Sequence, residues 1–313
     1  MMSDEALLQA AFASLHRLQM YYDDALPWSA IEQGFAHDEQ RVHYASRAIG
    51  IFKPAQMEQG VLSIKTVVPR TGRVNIYDDH KAAGDYYRYS LQAGGTHFGA
   101  NKYLWQAKEL GQPFIYFYGV FPGFYTALWP CYVDKIYDLG KTDSYCDVYV
   151  GQQVGENWLP RLVKGHYVQP DQFERRYAIR DSRTRLHQSA FRQAVLAAYR
   201  HKCAMTGLPM ARLLDAAHII PDSEVEGEAS VRNGVALSKL HHSAFDKHLI
   251  GIDPEFRIHV AGEVMRSKDG PLLELGIKAL DQKKIKLPRR QDRWPAESFL
   301  ERRFVEFLQK SSN

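Results

Sequence analysis

The sequence predicts an α+β fold made of two domains. Its 313 residues are long for one hydrophobic core, and an apolar fraction of 45% is ordinary for a globular protein. Apolar residues recur at helical spacing in residues 5–21, whereas strand-like runs dominate between residues 61 and 150. Near residue 160 the sequence becomes polar and rich in arginine. We therefore expect domains at residues 1–160 and 187–313, joined by a linker or extended arm at 161–186.

The first domain is predicted to hold a strongly curved sheet or a small barrel. Its predicted strands are residues 61–68, 73–77, 86–91, 114–120, 126–133 and 147–150. A helix is expected at residues 101–110, and residues 28–58 are expected to form helix and loop. This domain holds 27 of the 38 aromatic residues. Most suit a sheet core, and a minority could line a pocket for an extruded base.

The second domain alternates predicted helices with strands. An amphipathic helix is expected at residues 188–201. Residues 203–207 are predicted to be a strand entering a turn, and residues 211–220 the returning strand. The remaining predicted elements are a polar loop at 222–232, a helix at 238–248 with Ser238 as N-cap, a hairpin at 249–260 and a final helix at 296–310.

Charge is distributed unevenly along the chain. Residues 161–313 carry 27 Lys and Arg against 19 Asp and Glu, whereas residues 1–160 carry 13 against 17. A basic second half suits a polyanionic partner such as nucleic acid, although a solvated basic surface without a partner is the alternative.

Composition also predicts the compartment. The sequence has no run of about 18 apolar residues, so no membrane span is expected. Its three cysteines, Cys131, Cys146 and Cys203, are widely spaced and fit neither a disulfide framework nor a Cys-x-x-Cys zinc site. These features favour the cytoplasm.

Three short apolar frames carry polar residues that are suited to phosphodiester hydrolysis. His218 lies in Asp-Ala-Ala-His-Ile-Ile-Pro, Asn233 in Arg-Asn-Gly-Val-Ala-Leu, and His242 in Leu-His-His-Ser-Ala-Phe-Asp. Water is a poor nucleophile at neutral pH, so hydrolysis needs a base such as histidine. The negative charge of the transition state needs a cation to stabilise it.

These frames resemble the HNH, or ββα-metal, endonuclease family over roughly residues 187–260. Their residue sequences are similar to those of a branch of bacterial restriction-type endonucleases, and so is the downstream segment from Gly270 to Phe304. The resemblance implies a ββα-metal nuclease domain with flanking helices. In that domain His218 is the general base, Asn233 ties down the loop and orients the base, and His242 is a metal ligand. It also implies a divalent metal ion, Mg²⁺ or Mn²⁺, as cofactor.

The second metal ligand departs from the family's usual pattern. Many such nucleases place it immediately before the base, where this chain has Ala217. Asp215 shares that strand face but lies about 6–7 Å farther along. Either the strand bulges to bring Asp215 to the ion, or His242, waters and the scissile phosphate hold it. Asp215 is our predicted ligand and Asp246 a second candidate. His241 is expected to pack or face solvent, because adjacent helix residues point about 100° apart.

Basic residues around the motif are predicted to hold the substrate. Arg232, Lys239, Lys247 and the basic run at residues 283–290 are candidates for DNA phosphate contacts, and a solvated surface charge is the alternative for each. Segments such as Gly50-Ile-Phe-Lys-Pro and Pro113-Phe-Ile-Tyr-Phe-Tyr-Gly resemble the N-terminal region of the same branch of endonucleases. They imply a DNA-reading domain, in which a modified base is one candidate target. A protein-interaction or small-ligand sensor domain is the alternative.

Two sets of residues are candidates for such base reading. They are the basic rim Arg70, Arg73, Lys81 and Arg88, and the carboxylates Asp78 and Asp79, which could accept a hydrogen bond from a cytosine amino group.

The sequence thus predicts a metal-dependent HNH DNA endonuclease, in restriction or defence, with DNA as its partner. Dependence on a base modification and assembly as a homodimer remain open. A catalytically decayed nucleic-acid-binding protein is one alternative, and an RNA-directed nuclease is another.

Overall fold

A computed structural model describes residues 4–68, 86–139, 144–152, 162–163, 166–224, 227–268 and 270–311. Within these ranges the chain mixes helices and strands, which confirms the α+β prediction. Contacts divide it into two compact units, Met1–Ser189 and Ala190–Asn313. Among the helices of the described ranges, none is both long and apolar enough to cross a membrane.

The first unit contains most of the strands. In chain order its elements are α1 (Asp4–Tyr22), β1 (Ala25–Pro27), α2 (Trp28–Gln33), β2 (Phe35–His37), β3 (Gln40–Val42), β4 (Ile51–Phe52), β5 (Ser63–Lys65), β6 (Tyr87–Ser90), α3 (Asn101–Leu110), β7 (Phe114–Phe121), β8 (Phe124–Tyr137), β9 (Tyr145–Val150), β10 (Leu162–Val163), β11 (His166–Tyr167) and α4 (Gln172–Ala198), which continues into the second unit. The predicted helices at 5–21 and 101–110 are therefore confirmed. The predicted strand at 73–77 lies outside the described residues.

The main sheet of the first unit is curled. Its strand order is β4-β5-β7-β8-β9-β6, with β1 also paired to β8. Because β6 and β7 are three positions apart, a flat sheet would separate them by about 14 Å. Yet the ring centroids of Tyr87 and Tyr89 in β6 lie 6.1 and 5.9 Å from that of Tyr116 in β7. The predicted curved sheet is thus confirmed, whereas the small barrel does not form in the described part, since β4 and β6 end the order unpaired to each other.

The prediction of a linker or extended arm at 161–186 was wrong for most of its length. Residues from Gln172 onward belong to α4, a helix of 27 residues. Ala178, Ile179, Ser182 and Leu186 are buried at helical spacing, and the Ser182 hydroxyl lies 2.8 Å from that of Tyr87. The many arginines on the exposed side obscured this short apolar face in the sequence.

The second unit is built around a two-stranded hairpin. After the last turns of α4, its elements are β12 (Leu214–His218), β13 (Gly234–Ser238), α5 (Lys239–Asp246), β14 (Ile250–Ile252), β15 (Ile258–Val260), α6 (Gly262–Arg266), α7 (Pro271–Gly276) and α8 (Glu297–Ser311). The predicted helices at 238–248 and 296–310 and the hairpin at 249–260 are confirmed.

The predicted partner of β12 was wrong. Residues 203–207 form a turn rather than a strand, closed by a bond from the Gly207 N–H to the Cys203 carbonyl. β12 pairs instead with β13, which follows the polar loop. The sequence did not predict β13, because this strand has only five residues and lies directly between that loop and the capped helix.

Candidate active site

The candidate site lies on a strand–strand–helix frame. β12 and β13 are antiparallel, with His218 opposite Gly234 and Asp215 opposite Leu237. α5 begins directly after β13, where the Ser238 hydroxyl accepts a bond from the His241 backbone N–H, as the predicted N-cap should. The three elements of a ββα arrangement are therefore present in order.

Gly234 allows α4 to approach this frame closely. A Cβ at this position would lie 2.5 Å from the Val195 side chain and 2.9 Å from the Phe191 ring. Any larger residue would push α4 away from β13. The glycine after Asn233 is thus required by packing.

His218 ends β12 with its imidazole against the helix that precedes the motif. Its ring stacks on that of Phe191, with centroids 3.9 Å apart and planes at 14°. Burial lowers the pKa of His218, the nearby charge of His242 lowers it further, and the carboxylates of Asp222 and Asp246 oppose the shift. Nε2 is buried and makes no hydrogen bond to the described residues. His218 is therefore neutral at neutral pH and able to accept a proton.

Asn233 is completely buried and bonded to the loop that follows β12. Its Oδ1 accepts a bond of 2.8 Å from the Ile220 N–H, and its Nδ2 donates to the carbonyls of Ile220 and Glu228 at 2.9 and 3.0 Å. Its backbone carbonyl also accepts from the Ile219 N–H. The amide is thus occupied by backbone directly after the base, which suits positioning of His218 rather than contact with a substrate.

His242 lies between two carboxylates. Its Nδ1 is 3.3 Å from Oδ2 of Asp215, and its Nε2 is 3.2 Å from Oδ2 of Asp246. The hydrogen bond with Asp215 raises the pKa of His242, burial opposes this, and the charges of Asp246 and Asp215 add to the rise. Burial raises the pKa of Asp215, but the bond from His242 and nearby positive charges outweigh it, so the net shift is downward. Asp215 thus lies within hydrogen-bonding distance of His242, the other predicted metal ligand.

His241 is directed away from this pair. It is 4% exposed, its Nε2 lies 2.8 Å from the Gly276 carbonyl, and its Nδ1 lies 2.6 Å from the Ser238 hydroxyl. Burial raises the pKa of the Cys203 thiol, but hydrogen bonds from His241, Thr206 and the Ser238 backbone together outweigh it and bring the value to about 6. Of the two adjacent histidines, only His242 presents its ring to Asp215.

The Asp215–His242 pair fits one divalent cation. Neighbouring ligands of an ion with bonds near 2.1 Å lie about 3 Å apart, which is close to the observed separation. One imidazole and one carboxylate are ligands that a divalent cation accepts together with waters and phosphate oxygens. Among the described residues, no group of three or more His, Cys, Asp or Glu is arranged to hold a metal. Ala217, at the usual ligand position, is fully buried in the core.

The predicted DNA contacts surround this site without forming one cluster. Arg232, Lys239 and Lys247 are all exposed. The positive charge of Lys239 helps to lower the pKa of Asp215, which places it near the pair. The Arg232 carbonyl accepts a bond from the Ala296 N–H, which ties the end of the loop to the start of α8. Their role in binding stays a prediction.

Three supporting residues were missed in the sequence. Phe191 stacks on His218, and Arg192 donates to the Leu214 carbonyl at 2.8 Å while its Nε lies 3.9 Å from Asp215. Arg303 of α8 lies 3.8 Å from Asp246 and donates to the Phe245 carbonyl. Only the apolar periodicity of the helix before the motif could have indicated the first of them.

The geometry of the site and the comparison with family models indicate the same class of protein. Residues 203–253 match the family model described as HNH endonuclease. The second unit therefore carries a domain of the HNH endonuclease type.

Comparison with individual proteins is less informative. None of the curated proteins matches the chain. A solved structure described as "Modification dependent TagI restriction endonuclease" matches 84% of this chain and 86% of its own, with 14% identity and a TM-score of 0.31. At so low a TM-score, this similarity supports no conclusion about the fold or substrate of the present chain.

Proposed function

We propose that the second unit is a metal-dependent endonuclease that hydrolyses phosphodiester bonds of DNA. The observation that carries the proposal is the 3.3 Å separation between the Asp215 carboxylate and His242 Nδ1, on a frame that also holds a neutral His218. A cation-holding pair beside a base is what hydrolysis by water requires.

In this mechanism His218 takes the proton of the attacking water on its neutral imidazole ring. Asn233 keeps the backbone after His218 in place, and Phe191 holds the plane of the imidazole ring. Asp215 and His242 would hold Mg²⁺ or Mn²⁺, which supplies Lewis-acid stabilisation of negative charge on the phosphate and the leaving oxygen. Arg232, Lys239 and Lys247 bind flanking phosphates.

Replacing the base tests this assignment. We expect His218→Ala to retain its melting temperature within a few degrees and its affinity for duplex DNA, but to nick plasmid about 10²- to 10⁴-fold more slowly with Mg²⁺ or Mn²⁺. A suitable control is His259→Ala, which removes a half-buried histidine bonded to Asp253 outside the motif. Full activity of His218→Ala would refute the role of this residue.

A decayed, binding-only protein is the second candidate. Two observations favour it: Ala217 is buried, and the described residues include no group of three or more metal ligands. Cleavage of any nucleic acid by the wild type, dependent on a divalent ion and lost in His242→Ala, would eliminate this candidate. The same panel, run with RNA and duplex DNA in parallel, separates a DNA nuclease from an RNA-directed one.

We further propose that the first unit reads DNA, so that the enzyme acts in restriction or defence. A cavity of about 420 Å³ between the end of β9 and α4 supports this, because Tyr177, Asp181 and Arg185 line it. Tyr177 is 63% exposed and offers a ring for base stacking, and Asp181 could accept a hydrogen bond from a cytosine amino group. The earlier candidates Arg70, Arg73, Lys81, Asp78 and Asp79 lie outside the described residues, and Arg88 stacks on Tyr145.

A panel of phage genomes with different base modifications tests this second proposal. Cleavage that depends on one modification, and that loses this dependence in Tyr177→Ala, would support base reading. Equal cleavage of all genomes by the wild type would count against it.

A further inference from the structure

The second unit contains a cationic cavity whose described walls do not include His218, Asp215 or His242. Its volume is about 290 Å³. Four exposed cations line it: Arg200 and Lys202 from the turn after α4, and Lys286 and Arg289 from the segment before α8. The described lining residues include no Asp or Glu. Four positive charges converging on one cavity favour an anionic ligand.

The side chains of Arg200 and Lys202 are not needed to cap the C-terminal end of α4. Backbone N–H groups of residues 199–202 already donate to carbonyls of α4 and its last turn, including Leu196 at 2.7 Å. The two side chains are therefore not occupied in capping that helix. Lys286 Nζ donates to the Thr206 carbonyl at 3.4 Å, which limits the movement of its ammonium group.

Tyr199 provides an independent indication of a ligand. It lines the cavity and is only 6% exposed, and its hydroxyl is buried without a hydrogen-bond partner among the described residues. A buried hydroxyl is expected to form a hydrogen bond, because a hydroxyl that is removed from water without a new partner destabilises the fold. A polar ligand that reaches this hydroxyl from the cavity would provide that partner.

We propose that this cavity is a phosphate-binding site. Arg200, Lys202, Lys286 and Arg289 neutralise the phosphoryl group, and the Tyr199 hydroxyl donates to one of its oxygens. The choice of phosphate rests on the proposed function: in a DNA endonuclease the bound group is a backbone phosphate away from the cleaved bond. Such a contact fixes the register of the duplex without reading its sequence.

The position of the cavity suits this role. Cys203 lines the cavity, and its Sγ lies 3.8 Å from Nδ1 of His241, the neighbour of His242 on α5. The cavity and the catalytic helix therefore share a wall. A phosphate bound on one side would position the strand relative to the metal-binding pair on the other.

Free phosphate tests the site without requiring nuclease activity. At constant ionic strength, replacing chloride by inorganic phosphate should raise the melting temperature of the full chain by about 2–4 °C. Tyr199→Phe and the double variant Lys286→Gln/Arg289→Gln should lose this rise. The double variant Arg266→Gln/Lys268→Gln, which removes one Arg and one Lys outside the cavity, should keep it. That control also corrects for the general stabilising effect of phosphate on proteins.

DNA binding identifies the source of the phosphate. In a His218→Ala background, Lys286→Gln/Arg289→Gln should weaken binding of a short duplex about tenfold and reduce the slope of log K against log salt by about 0.9, as expected for one phosphate. If the thermal shift depends on the cavity but DNA affinity does not, the site binds a free phosphoanion. If wild type and both cavity variants respond to phosphate alike, the site is refuted. Failure of the chain to bind DNA would overturn the proposed function but leave the phosphate result standing.

Discussion

Two loops of this molecule, one in each unit, are tied down in the same way. Asn101 is completely buried, and its amide accepts from the Gln92 N–H and donates to the carbonyls of Gln92 and Gly95. Asn233 accepts from the Ile220 N–H and donates to the carbonyls of Ile220 and Glu228. The two amides thus make equivalent sets of three bonds, but only the loop held by Asn233 follows the proposed base, His218. Asn233 therefore has a structural role, and this role matters for function because the loop that it holds follows His218.

The contrast extends to the units themselves. In the second unit, Asp215, His218 and His242 come from a paired hairpin and the helix that follows it, so their spacing is visible in the sequence. In the first unit, curling of the sheet brings Tyr87 against Tyr116 from strands that are not neighbours. Sites built from consecutive elements leave a sequence pattern, whereas sites built by curvature do not.

The largest effect is expected where the two adjacent histidines of α5 are compared. Replacing a residue that only supports a metal ligand typically lowers metal affinity or activity about 10- to 100-fold. Replacing a ligand itself should have a larger effect, so we expect His242→Ala to reduce the nicking rate by more than about 100-fold. The melting temperature should change little, because this side chain is half-buried. His241→Ala should instead lower stability, since it leaves the Gly276 carbonyl without its partner. Plasmid nicking at several Mg²⁺ concentrations, together with thermal melting, measures both; equal activity loss per folded molecule would contradict the distinction.

The two asparagine ties provide a matched pair for the next test. Asn101→Ala and Asn233→Ala each leave buried backbone groups unpaired and should each cost about 3 kcal/mol in the free energy of unfolding. Urea denaturation measures this cost. Nicking per folded molecule should fall only in Asn233→Ala, because only that loop positions His218. A similar loss of specific activity in Asn101→Ala would show that general destabilisation explains both.

The cavity of the first unit should show a smaller effect, confined to substrate choice. Stacking of a base on an aromatic ring contributes about 1–3 kcal/mol. Tyr177→Ala should therefore reduce the preference for the favoured substrate by about 5- to 150-fold and leave nicking of other duplexes unchanged. The exposed Phe173, one helical turn earlier and outside the cavity lining, provides the control Phe173→Ala. Equal effects of both variants would assign the change to the helix surface rather than to the cavity.

The smallest predicted effect is a shift in pH dependence. A neutral His218 accepts the proton, so activity rises as pH increases through its pKa, which burial holds below the usual value. Phe191→Leu exposes the ring to more water, which should move the pKa upward and displace the acidic limb of the rate profile to higher pH by less than about one unit. Rates measured from pH 5 to 9 at constant ionic strength would show this. A limb displaced to lower pH would contradict burial as the cause.

Much of the second unit could be predicted because its signals are local. The frames around His218, Asn233 and His242 identified the motif, and Ser238 marked the start of α5 through its capping bond. The strand partner of β12 was predicted wrongly, because β13 is short and the turn at residues 203–207 has a strand-like composition. Arg192 and Arg303 were missed, since their contacts depend on how α4 and α8 pack.

The sequence by itself determined which chemical groups are present and their order, because helical and strand periodicities express short-range backbone geometry. It indicated His218 as the proposed base and His242 as the proposed helix ligand, and it identified the cap of α5. Only the tertiary structure decided that Asp215 reaches His242, that His241 is turned into the core, and that residues from Gln172 onward form a helix. The physical reason is that these features depend on through-space distances. Such distances are set by the packing of whole elements against one another, which no spacing along the chain encodes.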